Sequence, residues 1–213
     1  MDSLQININK ILSSISLFEK NNKKKQIIAI SGPPGAGKSY LINIILKKYN
    51  DNLIDKKKHA VIFPMDGYHL DNKELIETGL FDRKGSEPSF NSEKFARDLY
   101  KVSQNKNIKI PGFDRELDKT IADQISITSE TPLVIVEGNY LLIDKSPWSS
   151  CSDLYDLKIF INPGIDVLRE RLIQRWLDFG FDIQQANKKA NENDLINAEF
   201  VIQNSSKNDI EIN

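Results

Sequence analysis

The segment Gly32-Pro33-Pro34-Gly35-Ala36-Gly37-Lys38-Ser39 fits the pattern G-x-x-x-x-G-K-[ST]. Residues of these types at this spacing cradle phosphate. The glycines let the backbone curl around an anion with its N–H groups turned inward. A helix beginning near Lys38 adds the positive end of its dipole. Lys38 then reaches the β- and γ-phosphates of a nucleotide, and the Ser39 hydroxyl ligates Mg²⁺. Tyr40 follows directly and is counted with the nucleotide site. Four fixed positions rarely match by accident in a chain of this size. The motif alone does not separate a kinase from an ATPase or a GTPase.

Two carboxylates follow apolar runs that read as strands. Asp66 follows His59–Met65, and Glu137 follows Leu133–Val136. In an open parallel sheet, ligands bind beyond the carboxyl ends of the strands. A carboxylate at the first position can take the proton of an attacking hydroxyl. One at the second can hold Mg²⁺ directly or through water. The competing reading of a single Asp there is a cap or a turn. It weakens because Tyr68 and His69, two large polar-tipped residues, stand beside Asp66.

The elements that must carry these groups follow from periodicity. Leu4, Ile8, Ile11, Leu12, Ile15 and Phe18 lie at helical spacing within residues 1–20. The basic run Lys23–Lys25 then reads as a solvated turn before a strand at Gln26–Ser31. Helices are predicted at Lys38–Tyr49, Ser92–Val102, Ile165–Phe179 and Ile183–Ala198, the last two joined through Gly180. Residues 71–90 read as irregular, with a helical turn at Lys73–Thr78. Short strands are expected at Ile108–Ile110 and Ile125–Thr128, with a loop over Pro111–Asp118. Further strands are expected at Leu133–Glu137, Leu157–Ile161 and Glu199–Gln203, and an edge strand at Ile210–Ile212. Asn193, Asp194 and Asn197 read as residues that end the last helix. Short, fully apolar strands separated by helices indicate an α/β fold, with a parallel sheet covered on both faces.

Composition narrows the class. The chain has 213 residues, of which 39% are hydrophobic and 28% charged, enough to bury a core. Lys plus Arg is 29 against Asp plus Glu 30, a balance that argues against a dedicated nucleic-acid binder. The single cysteine, Cys151, excludes a disulfide framework within the chain and a cysteine-rich zinc site. The apolar runs are far too short to span a bilayer. The N-terminus resembles neither a signal nor a transit peptide, so a cytoplasmic location is expected, with no membrane partner.

Six segments occur in a telling order: Gly32–Ser39, Pro64–His69, Arg83-Lys84-Gly85, Pro111–Arg115, Val136–Leu142 and Arg171–Trp176. Together they resemble the phosphoribulokinase/uridine kinase-like branch of P-loop kinases. Within it the nearest likeness is to nucleoside/nucleotide kinase-like or "fructose transport system kinase"-like proteins, and more distantly to bacterial pantothenate kinase. The resemblance covers roughly residues 25–204. It implies a P-loop NTPase fold with a mostly parallel five-stranded sheet, helices on both faces and a helical lid. It also implies one kinase domain, made of a helix and basic turn (1–24), a core (25–204) and a tail (205–213). The implied activity is transfer of the γ-phosphoryl group of ATP, with Mg²⁺, to a hydroxyl of a small metabolite.

The resemblance assigns roles residue by residue. Asp66 matches the general base and Glu137 the acid near Mg²⁺. Arg171 and Arg175 match a lid helix that closes over the phosphates, and four-residue spacing puts them on one helix face. Tyr68, His69, Arg83, Lys84, Phe113, Asp114 and Arg115 fall in segments that line the acceptor side, and Asn139 and Tyr140 join them. In a kinase whose acceptor is already phosphorylated, Arg83 and Lys84 would bind that phosphate. Relatives carry an aspartate where Asn91 stands, and Pro88 is displaced by one place from their pattern. A sugar or sugar derivative is the first choice of acceptor, then a nucleoside or a pantothenate-like alcohol. A monomer or homodimer is expected. An ATPase or nucleotide-gated switch is the alternative reading, and a polynucleotide kinase a weaker third.

Overall fold

The computed structural model describes residues 3–20, 24–51, 59–206 and 208–213. Lys23 of the expected basic turn, and the side chains of Leu4 and Phe18, lie outside the described residues. In chain order the elements are α1 (Ser3–Lys20), β1 (Gln26–Ser31), α2 (Lys38–Asp51), β2 (Val61–Pro64), α3 (Asn72–Glu77) and α4 (Ser92–Ser103). Then come β3 (Ile108–Asp114), β4 (Lys119–Ile127), β5 (Leu133–Gly138), β6 (Leu157–Ile161) and α5 (Ile165–Asp178). Helices α6 (Ile183–Lys189) and α7 (Leu195–Asn204) and strand β7 (Ile210–Ile212) complete it.

Five strands form one parallel sheet in the order β2-β5-β1-β6-β7. All six residues of β1 are buried, because helices cover both faces. Alternation then assigns its side chains. Ile28 and Ile30 face Ile11 of α1, Ile42 and Ile45 of α2, and Leu168 and Leu172 of α5. Ile27 and Ala29 face the opposite layer, with Phe95 and Leu99 of α4, Tyr140 and Trp148. Each fully buried Ile or Leu contributes about 1.5–3 kcal/mol relative to exposure. From β1 the chain first builds outward through β2 and β5, then on the other side through β6 and β7. The crevice at this reversal lies beyond the ends of β1, β5 and β2.

Register carries the carboxylates into that crevice. Glu137 on β5 stands opposite Ile30 of β1 on one side and Pro64 of β2 on the other. Asp66 follows β2 in a 3₁₀ turn, Met65–Tyr68.

Four expectations need correction. The segment 199–203 is not a strand but part of α7. Its buried positions Leu195, Ala198 and Val201 recur every three residues while Glu199 is exposed, which is a helical stripe. The place of the last core strand is taken by β7, paired in parallel with β6. The expected short strands near 108 and 125 and the loop between them are one antiparallel hairpin, β3–β4, separate from the main sheet. The predicted helix 183–198 is α6 and α7 joined by a π-helical turn at Ala190–Asp194, so the Asx residues do not end it.

Candidate active site

The phosphate cradle starts where β1 ends. A Cβ on Gly32 would lie 2.4 Å from the carbonyl oxygen of Ile161 on β6, so only glycine lets the loop leave the sheet here. The loop then turns into α2, whose first amides face it. Lys38 is buried, 9% exposed, and its ammonium donates to Gly32 O (2.9 Å), Pro33 O (3.0 Å) and Asn139 Oδ1 (2.7 Å). All three are uncharged oxygens. Burial pulls its pKa down to about 8; Glu137 and Asp66 oppose that fall, and the charges of Arg115 and Arg175 add to it. Arg171 Nη1 donates to the carbonyls of Gly35 and Ala36, both at 3.2 Å, which fixes α5 against the loop.

Ser39 Oγ donates to Glu137 Oε1 at 2.7 Å. A hydroxyl and a carboxylate therefore converge from α2 and β5 beside the cradle. This donor set suits Mg²⁺, a hard ion that takes few protein oxygens and completes its shell with phosphate and water. Among the described residues no group of three or more His, Cys, Asp and Glu forms a metal cage.

Asp66 is held from the hairpin. Arg115 Nη2 donates to its Oδ2 at 2.8 Å. The hairpin reaches it because a Cβ on Gly67 would lie 2.3 Å from Pro111 O, a contact only glycine permits. His69 donates from Nδ1 to the Asp66 carbonyl at 2.9 Å, and its ring packs on Phe90 and Phe113 with centroids 4.0 and 4.8 Å away. Burial lowers its pKa, so the ring is neutral at physiological pH.

The other acceptor-side residues separate into groups. Arg83 donates to Glu192 O (3.1 Å) and Asn197 Oδ1 (3.3 Å). Lys84 is paired with the Asp118 carboxylate at 2.8 Å, bonds Asn72 Oδ1 and lies over the Phe113 ring. Its charge is therefore met within the chain. Tyr140 is buried and donates to Gly85 O at 2.7 Å, tying the end of β5 to the Arg83–Gly85 loop. Asp114 Oδ1 accepts from the amides of Glu116 and Leu117, which shapes the hairpin tip that presents Arg115. Two residues stand elsewhere than expected. Tyr68 points into the core, stacked on Phe63 with its hydroxyl on Asp98 (3.3 Å). Asn139 sits on the phosphate side, at Lys38. Tyr40 is 64% exposed. Asn91 does not line the site; its side chain caps α4.

With this geometry, the Phosphoribulokinase / Uridine kinase family matches residues 27–211. The chain belongs to that family. It is similar to a Schizosaccharomyces pombe protein provisionally named a uridine kinase, at 30% identity over 98% of this chain and 93% of that one. A solved structure from Silicibacter sp., provisionally named a fructose transport system kinase, covers 100% of both chains at 32% identity and a TM-score of 0.87. A pantothenate kinase of Streptococcus pneumoniae is 26% identical over 77% of this chain and 54% of that one. The protein is thus a P-loop kinase of the phosphoribulokinase/uridine kinase type, and its family uses ATP. Among the described residues no helix is long and apolar enough to cross a membrane.

Helix α5 makes a contact that the sequence did not disclose. Arg175 donates from Nη2 to Asp194 Oδ2 at 2.8 Å, and Trp176 Nε1 donates to the same oxygen at 2.6 Å. In sequence Asp194 reads as a helix terminator, because its partners are 18 and 19 positions away. Glu87 escapes a sequence reading likewise. It is 8% exposed and accepts from Lys145 and from Trp148 Nε1, which anchors the loop that follows Arg83-Lys84. A buried carboxylate in a polar loop leaves no local signal beyond its residue type.

Proposed function

We propose that this kinase transfers the γ-phosphoryl group of ATP to a hydroxyl of a small polar metabolite, with Asp66 as general base. The observation that carries the reading is the convergence of Lys38, at the start of α2, with Glu137 and Asp66, at the ends of β5 and β2, over one crevice. The acceptor hydroxyl sits at Asp66 Oδ1 while Arg115 holds Oδ2. Its proton passes to Asp66 as its oxygen bonds the γ-phosphorus. The bond from that phosphorus to the β-phosphate oxygen breaks, and ADP leaves. Lys38, Arg171 and Arg175 offset the charge that builds on the transferring oxygens. Ser39 and Glu137 would hold Mg²⁺, which when bound neutralises phosphate charge.

Pairing of Lys84 with Asp118 favours an acceptor that does not present a phosphate to that lysine. The neutral His69, its Phe90 and Phe113 neighbours and the ion pair at Asp66 suit a polyhydroxyl compound with an apolar face. A sugar or a nucleoside meets that description, and a pantothenate-like alcohol comes next.

A coupled ADP-release screen with ATP·Mg tests this against sugars, sugar phosphates, nucleosides and pantothenate. One unphosphorylated compound raising turnover far above background is the expected result. A flat panel with ATP binding intact would favour an ATPase or switch instead.

A further inference from the structure

Asp194 occupies an unusual position for a lone acidic residue. It is 7% exposed, and one of its oxygens receives both the Arg175 guanidinium and the Trp176 indole N–H. Two donors on one oxygen fix the carboxylate in position, and a charge-assisted bond fixes the arginine in turn. Among the described residues, Arg175 Nε is buried without a hydrogen-bond partner, so Nη2 supplies the bond that orients this side chain. The guanidinium also lies over the Trp176 ring, 5.3 Å from its centroid. Arg171, one turn earlier on α5, donates to the Gly35 and Ala36 carbonyls, so Arg175 shares the helix face that meets the phosphate cradle.

The backbone is adapted to deliver this carboxylate. Asp194 closes the π-helical turn Ala190–Asp194. A π turn inserts one extra residue, which rotates the next helix by roughly 100° relative to an uninterrupted one. The same turn faces the acceptor loop: Glu192 O accepts from Arg83, and Asn193 Nδ2 donates to Lys84 O at 3.1 Å. Asp194 thus lies where the phosphate side and the acceptor side of the crevice meet.

We propose that Asp194 is the positioning residue for Arg175, holding its guanidinium in the orientation that meets the transferring phosphoryl group. The inference rests on the reading of Arg175 as a lid arginine. It assigns Asp194 no contact with substrate. Its effect passes through Arg175 alone, so it concerns the transferring group and not the ADP part of the nucleotide.

The test is calorimetric binding of ADP·Mg with and without aluminium fluoride, a stand-in for the phosphoryl group in transfer. Asp194→Asn and Arg175→Ala should each weaken the fluoride complex by at least about tenfold, with ADP·Mg affinity changed by less than about twofold. The double variant should be no weaker than the singles, because both remove one interaction. If Arg175→Ala leaves the fluoride complex intact, the lid reading itself fails. If Arg175→Ala weakens it and Asp194→Asn does not, only the present inference fails. Additive losses, or equal losses with and without fluoride, would also overturn it, since they mark a merely structural carboxylate. Should Asp194→Asn not fold, Asp194→Glu keeps the charge and displaces it by one methylene. It should show the same selective loss, and wild-type fluoride affinity in that variant would reject the proposal.

Discussion

Nη2 of Arg115 lies 2.8 Å from Oδ2 of Asp66, so the tip of the β3–β4 hairpin is latched onto the strand-end carboxylate. The latch joins two elements that share no sheet. Arg115 is 72% exposed at its side chain, so the pair adds little to folding, about 0–1 kcal/mol. Its value is orientation. Arg115→Ala should lower kcat/KM about tenfold or more while the melting temperature moves by no more than a few degrees. A melting shift without kinetic loss would make the pair a surface contact.

Asp66→Asn keeps the shape of the 3₁₀ turn and removes the base. ATP binding should persist within about twofold, while phosphoryl transfer falls about 10²–10⁴-fold. Single-turnover kinetics with bound ATP would measure the chemical step directly. An unchanged rate there would remove Asp66 as the proton acceptor.

Glu87 carries a prediction about stability. Its buried carboxylate receives the Lys145 ammonium and the Trp148 indole N–H. Glu87→Ala leaves that N–H without its acceptor inside the core and frees the loop bearing Arg83 and Lys84. The expected cost is about 1–3 kcal/mol, that of a buried donor left unsatisfied, because the Lys145 side chain is 57% exposed and its charge stays in water. Denaturant unfolding followed by Trp fluorescence would read it; a loss under about 1 kcal/mol would show that water or another group replaces the carboxylate.

The contrast between Lys38 and Asp194 explains how far the sequence could be read. Lys38, Ser39, Asp66 and Glu137 were legible because each stands at the end of an apolar strand or the start of a helix. Local pattern alone located them. The β3–β4 hairpin was not legible as one unit, because exposed positions along β4 obscure its alternation. Segment 199–203 misled because Phe200, Val201 and Ile202 form a short apolar run that suits either a strand or a helix. Asp194 and Glu87 owe their roles to partners brought together by folding, and no local spacing encodes such pairs. Tyr68 shows the converse: two residues from Asp66 in sequence, it packs its ring into the core.

The depressed pKa of Lys38 makes two pH effects predictable. Its pKa falls from the ordinary 10.5 to about 8 in the folded chain, chiefly through burial. Between these values the unfolded chain binds the extra proton, so stability from this group rises with pH from about 8 to 10.5. Below about 8 the buried ammonium carries its full desolvation penalty in the nucleotide-free protein. Nucleotide affinity moves the opposite way, because phosphate needs the charged lysine. Below about pH 8 the proton is already in place. Above it, binding must recruit one, and the dissociation constant for ATP·Mg should rise by up to about tenfold per pH unit. Calorimetry from pH 7 to pH 9.5 in buffers of different ionisation heat would show proton uptake growing across this range. Lys38→Ala should bind more weakly at neutral pH and lose the uptake. Uptake that persists in the variant would assign the titration to another group and leave Lys38 charged throughout.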